Sequence, residues 1–238
     1  MVKNGKALII AMLTAVGLLG WACSPAAAAI RIEGQVQAGG GPVAKATVTL
    51  WAANANAPKR LAQTQTGSDG RFIVRVDQFP GGDTSLYLVS TGGQPAADKS
   101  GGNNPAIALM AVLSNKPPPK VVINEMTTVA SVWTSAQFLD GTAIKGNSLS
   151  LRIAAGNVPN FVNLPTGGWG DAIQDPLNSG QTPTMANFAT LADVLSGCAT
   201  RVTPDACSKL YAAATPPTGA APTNTLGAAQ SIAKSPWY

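Results

Sequence analysis

The sequence predicts an α+β protein: a seven-stranded antiparallel β-sandwich over residues 30–124, followed by a small all-α domain over 125–238. Three observations predict it. Between Ile30 and Asn124 apolar and polar residues alternate with period two, in short runs separated by glycine- and proline-bearing turns. After Asn124 the apolar spacing becomes helical. Charged residues make up only 11% of the chain, beside 25 Gly and 18 Pro, which suits strands, turns and small-residue helices better than a coiled coil or a charged tail.

Residues 1–29 read as a signal peptide. Lys3 and Lys6 form a basic start, residues 7–22 are an apolar run, and AAAA (26–29) offers small residues for cleavage before Ile30. The rival reading lipidates Cys23, although Gly20 stands where a lipidation signal carries Leu. Either way the expected location is outside the cytosol: secreted or periplasmic, or a cell-surface lipoprotein.

In the first strand Ile30, Ile32, Gly34 and Val36 share one face, and Arg31, Glu33, Gln35 and Gln37 the other. After GGGP (39–42), Ala46, Val48 and Leu50 point inward along GPVAKATVTLW (41–51), with Trp51 on the outward parity. RLAQTQT (60–66) and RFIVRV, joined through GSD (67–69) and Gly70, carry a hairpin signal, because Gly adopts φ > 0 at little cost. SLYLVST (85–91), AIALMAVL (106–113) and KVVIN (120–124) complete the set. The loop 92–105 is long and holds one acid, Asp98; it reads as a mobile connection.

The helical part opens with residues 124–141, where Val129, Val132, Trp133 and Ala136 form a stripe that Asp140-Gly141 would stop. Glu125 reads as an acid favoured at that helix's N-terminus, by about 0.3–1 kcal/mol, or as a buried acid in an interface or site. Thr127 and Thr128 read as capping and contact groups. Residues 148–162 suggest a helix broken by Pro159, and 164–183 a loop. Three further helices follow: one capped by Thr184, one started by Thr203-Pro204-Asp205, and one from near Thr223 to Pro236. Cys198 ends the first of these on its apolar face, and Cys207 sits in the first turn of the second. In an exported chain that pair reads as a disulfide; the rival two-thiol metal site lacks close spacing and histidine partners.

Composition excludes much chemistry. There is no histidine, which removes Ser-His-Asp and Cys-His catalysis and histidine zinc sites. The formal charge is +5, about +3 once Lys3 and Lys6 are removed, and the sequence shows no run of bases interleaved with aromatics, so nucleic acid is not an expected partner. Asp171 and Asp175 are the nearest approach to a carboxylate pair, but a Gly/Pro-rich loop holds them poorly for acid–base work. Asp69 has too few acidic neighbours for calcium and reads as a turn residue. Trp51 and Trp169 are candidates for stacking on a sugar ring, against a bland reading in which Trp51 packs beneath the second domain.

IEGQV (32–36), GPVAKATVTLW (41–51) and LAQTQTGSDGRFIV (61–74) resemble carboxypeptidase-regulatory-like modules, which implies a transthyretin-like sandwich. Hydrolases of related fold depend on histidines that are absent here, so the resemblance implies no activity. INEMTTVASVW (123–133), the C-x₈-C pair and NTLGAAQSIAKSP (224–236) are similar to a helical segment that follows such a module in the N-terminal part of larger bacterial exported proteins, where a propeller-like region often comes next. The functional expectation is a non-catalytic scaffold or interaction module of the envelope or exterior, with a carbohydrate-binding accessory module as the alternative and a histidine-free enzyme as the third. Expected partners are an envelope protein or a glycan, with membrane contact only through the signal peptide or a lipid anchor. No cofactor is implied.

Overall fold

Among the described residues two larger sheets, two small hairpins and seven α-helices build an α+β molecule, antiparallel throughout except at one strand pair. The computed structural model describes residues 29–78, 81, 83–98 and 101–236. Residues 1–28 of the expected signal peptide, Cys23 among them, lie outside the described residues.

The first sheet contains β1 (Ile30–Ala38), β2 (Gly41–Ala44), β5 (Arg71–Val76), β7 (Gln94–Pro95) and β9 (Lys120–Ile123); the second contains β3 (Thr47–Ala53), β4 (Lys59–Gln65), β6 (Ser85–Thr91) and β8 (Ala108–Ser114). The first sheet runs β5-β1-β2-β7, with β9 also on β1, and the second runs β4-β3-β6-β8. Among the described residues nine strands therefore stand where seven are expected, and β9 lies parallel to β1, with Glu33 opposite Lys120 and Val36 opposite Ile123. The alternation in β1 holds: Ile32 and Val36 are buried, Arg31 and Glu33 exposed.

Two expectations fail at one corner. GPVAKATVTLW is two strands, not one, because Lys45 takes φ +57° and sends the chain from the first sheet to the second. Buried Thr66 supports the break: its Oγ1 accepts from Ala46 N at 2.8 Å and donates to Val43 O at 2.7 Å. Likewise β4 and β5 do not pair as a hairpin. They belong to different sheets, and the turn 67–70, with Gly70 at φ +72°, carries the chain between them. A turn signal specifies a reversal of direction and leaves the choice of partner to burial.

β6 is buried at six of its seven positions, and β8 likewise. An antiparallel sheet ordinarily keeps one wet face; here the second sheet is covered by helices. These are α1 (Glu125–Ser135), α2 (Ser148–Phe161), α3 (Asp171–Gln174), α4 (Pro176–Ser179), α5 (Thr184–Ala199), α6 (Ala206–Ala213) and α7 (Thr225–Lys234). Three of them, α1, α2 and α7, pack on β8. The buried side chains of sheets and helices form one continuous core, from Ile32 and Val36 through Leu88 and Met110 to Val129, Phe188 and Leu226.

The sequence similarly misplaces parts of the helical half. It is not all-α: β10 (Leu139–Asp140) with β11 (Ala143–Ile144), and β12 (Val162–Asn163) with β13 (Gly168–Trp169), form two small hairpins. Asp140-Gly141 turns the first hairpin, with Gly141 at φ +58°, instead of stopping a helix; α1 ends at Ser135, before a 3₁₀ turn over Ala136–Phe138. α2 runs unbroken through Pro159. Residues 164–183, read as loop, hold β13, α3 and α4. Thr184 is the first helical residue of α5, with Pro183 at the cap.

The hydroxyl groups of the helices close the open edge of β8. Met110 N donates to Thr128 Oγ1 and Val112 N to Ser131 Oγ, both at 2.9 Å. Ala108 N donates to Thr225 Oγ1 at 3.0 Å, and that hydroxyl donates to Ala108 O at 2.6 Å. Alternate residues of an edge strand present their backbone groups to the same side, and unpaired edges invite association. Helices with a hydroxyl at each required place seal this one. Thr127 completes a capping box with Asn124, so α1 starts where its hydroxyls fit β8.

Candidate functional site

A groove of about 900 Å³ lies over the outer face of β5, β1 and β9. Strand register builds its floor. Across β5 and β1, Arg75 lies opposite Arg31, Ile73 opposite Glu33, and Arg71 opposite Gln35. Across β1 and β9, Glu33 lies opposite Lys120 and Gln35 opposite Val122. Side chains directly opposite share a face, so the wet parity of three strands lines the groove with Arg31, Glu33, Gln35, Arg71 and Lys120, and puts Arg75 on the same face beside it.

Pro165 and Thr166 form one wall of the groove. The turn that carries them is anchored by Val122 N donating to Leu164 O at 2.8 Å and Asn124 Nδ2 donating to Gly167 O at 3.0 Å. Gly167 takes φ +71°, and a Cβ there would meet Val122 Cγ1 at 2.6 Å. Asn124 thus starts α1 and positions the wall together, and the groove lies where the two halves of the chain meet. Along the floor Gln37 Nε2 donates to Gln35 Oε1, and Gln35 Nε2 to Asp69 O, both at 2.8 Å. Glu33 pairs with Arg31, and Asp69 lies 3.5 Å from Arg71 Nε. Among the described residues neither Arg75 nor Lys120 has an ion-pair partner. Sequence reasoning missed this site, although the alternation Arg31, Glu33, Gln35, Gln37 and the pair Arg71, Arg75 already mark its parity.

A smaller cleft of about 370 Å³ lies between the end of β8 and α2, with Leu113, Ala155, Pro159 and Val162 as apolar walls and Lys116 and Asp171 among its polar residues. Asp171 reaches it from the first turn of α3, whereas Asp175 caps α4 by accepting from Leu177 N at 2.9 Å. The two carboxylates are used at separate helix starts. Asp69 is a turn residue: its Oδ1 accepts from Arg71 N at 3.0 Å.

Trp51 is half-buried and stacks on Tyr87, with centroids 6.4 Å apart and planes at 13°. Tyr87 lies beneath the β10–β11 hairpin, where its oxygen accepts from Ile144 N at 3.3 Å, and burial pushes its pKa up to about 12. Trp169 lies 5.6 Å from Phe188, which contacts Trp133 and Phe161 as well. Both tryptophan rings therefore spend a face on internal packing, and the structure does not bring them together at a site with the groove residues.

Cys198 and Cys207 are disulfide-bonded, with Cα atoms 4.4 Å apart. The bond holds the end of α5 against α6, and from that end Cys198 O and Ala199 O accept from Asn104 Nδ2 at 3.1 and 2.9 Å. Arg201, at φ +49°, donates from Nε to the buried Asp98 carboxylate at 2.5 Å and from Nη2 to Gly101 O at 2.7 Å. The described part of loop 92–105 is therefore pinned to the α5–α6 corner, contrary to the mobile connection its composition suggests. Replacing both cysteines by alanine is expected to cost about 2–3 kcal/mol, since the bond closes so short a loop; chemical denaturation with and without reductant checks this.

Glu125 begins α1 but is 6% exposed, with Oε1 accepting from Gly39 N at 2.9 Å. It is a buried acid between the β1–β2 turn and α5. Burial raises its pKa, and Asp193 adds to the rise, while hydrogen bonds from backbone and from Ser196 oppose it. A raised folded-state pKa means that stability is fullest below the ordinary carboxylate pKa and falls as pH rises through the folded-state value. Glu125→Gln keeps an acceptor for Gly39 N and removes the titration. The variant is expected to melt higher than the parent at neutral pH, with a flatter melting profile from pH 4 to 8.

Among the described residues there is no group of three or more metal-ligating side chains and no helix long and apolar enough to cross a membrane. No family model matches the sequence, and no curated protein does. Among solved structures, a 9R-lipoxygenase from Cyanothece PCC8801 aligns at 16% identity with a TM-score of 0.27, over 40% of this chain and 15% of the lipoxygenase chain, which is too slight a likeness to inform the fold or the function.

Proposed function

We propose that the protein is an exported, non-catalytic interaction module, in which the two sheets make a transthyretin-like β-sandwich and the helices brace it. The observation that carries this reading is the seam at β8. Hydroxyls of Thr128, Ser131 and Thr225 lock helices to strand, leaving the outer face of the first sheet and the β4 and β5 edges to meet a partner. The Cys198–Cys207 bond supports export, because disulfides persist in oxidising compartments. The apolar run at 7–22 supports it too, with any membrane contact made through the signal peptide or a lipid on Cys23. The acids and aromatics with chemical potential serve the fold: Asp175 caps α4, Asp69 closes a turn, and Trp51 and Trp169 pack on other rings.

The partner is an envelope protein or a glycan, and the hydrogen-bonding groove across β1 favours the glycan. The test is to incubate the processed protein with fractionated envelope material and with panels of small substrates. Retention of an envelope component without turnover is the expected result. Turnover abolished by one point substitution would overturn the reading.

A further inference from the structure

We propose that the outer face of β5, β1 and β9 binds an acidic polysaccharide, a chain of uronate-type sugars, a reading that rests on the interaction-module function above and gives it a ligand. Arg75 lies directly opposite Arg31, and like charges in that position destabilise an antiparallel pair. Glu33 relieves Arg31 alone. Lys120, opposite Glu33 on its other side, makes no ion pair among the described residues, nor does Arg75. The face thus holds unspent positive charge on rigid strands, which suits a ligand that brings carboxylates. Guanidinium groups bind carboxylates in a two-pronged geometry, and a lysine supplies a further point charge.

The remaining groups select sugar over other polyanions. Gln37, Gln35 and the Asp69 carbonyl form a directed amide row, and Thr166 adds a hydroxyl at the wall. Amides and hydroxyls of this kind exchange hydrogen bonds with the many hydroxyls of a sugar chain. Ile73, 45% exposed in the middle of the floor, offers an apolar surface for the C–H face of a ring. The aromatic lining the groove is Phe72, which is buried on the opposite parity, so no exposed ring is offered for stacking nucleic-acid bases.

The test measures binding of oligogalacturonate to the processed protein by calorimetry at low salt, with dextran, polyphosphate and single-stranded DNA as comparison probes. Oligogalacturonate is expected to bind, dextran not to bind, and the phosphate polymers to bind more weakly. Arg71→Gln with Lys120→Gln is expected to weaken oligogalacturonate by about tenfold or more, as loss of charged hydrogen bonds implies. Arg75→Gln separates a ligand site from surface charge kept for the fold: it is expected to raise the melting temperature while lowering affinity. Equal binding of polyphosphate or DNA would overturn the proposal, as would unchanged affinity in the double variant or no binding of oligogalacturonate. If uronate binding fails while envelope retention persists, only this inference falls; a substitution-sensitive turnover removes the module reading itself.

Discussion

Replacing Gly34 by alanine is expected to destabilise the protein by about 3 kcal/mol or more, in the upper range for overpacking a filled core. A Cβ at that position would stand 2.2 Å from Val121 O and 2.4 Å from Phe72 Cζ. Both neighbours are fixed by register: Phe72 lies opposite Gly34 on β5, and Val121 opposite it on β9. The Phe72 ring crosses the space a side chain would take, so the glycine is required by the strand on either side. In a protein of this size the loss should lower the melting temperature by roughly 6–12 °C. Adding Phe72→Leu relieves the ring contact and leaves the Val121 carbonyl in place, so it is expected to restore only part of the stability. Thermal and denaturant unfolding of the single and double variants check both statements.

Thr225→Val is expected to cost about 2–4 kcal/mol. The substitution nearly preserves shape but leaves Ala108 N and Ala108 O, both buried, without the hydroxyl they share, and a buried polar group without a partner costs about 1–3 kcal/mol. The start of α7 is otherwise intact, since Asn224 Oδ1 still accepts from Gly227 N at 2.8 Å. Thr225→Ser retains the hydroxyl and is expected to recover most of the loss. Destabilisation by serine with little loss in the valine variant would instead assign the role of Thr225 to its methyl group.

The same residues show what a sequence can and cannot convey. Period two in β1 and the apolar stripe of α1 are local, and Ile32, Val36, Val129 and Val132 are buried as those patterns require. The Cys198–Cys207 bond was legible because short-range helix geometry places both thiols at one corner. What escaped depends on partners far away in the chain. Lys45 gives no sign of its positive φ, because the support for that bend is the Thr66 side chain just past the end of β4. Loop 92–105 looks unconstrained until Arg201 and the carbonyl of Cys198 come to meet Asp98 and Asn104.

The candidate groove is the extreme case. Its cations sit on β1, β5 and β9, so that scattered bases become one surface only after strand pairing. Glu125 was legible as a first-turn acid, but its burial against Gly39 and α5 follows from how the sheets and helices meet. Trp51 has the outward parity its sequence implies, and that face is where the helical half packs, so outward does not mean free.

Native-state hydrogen exchange of the β8 amides tests most directly whether strands and helices form one body. The hydroxyl seam predicts that Ala108, Met110 and Val112 exchange as slowly as the core amide of Leu88 and become exposed in the same single unfolding transition. Rapid exchange at those three positions while Leu88 stays protected, or separate melting of sheets and helices, would contradict it.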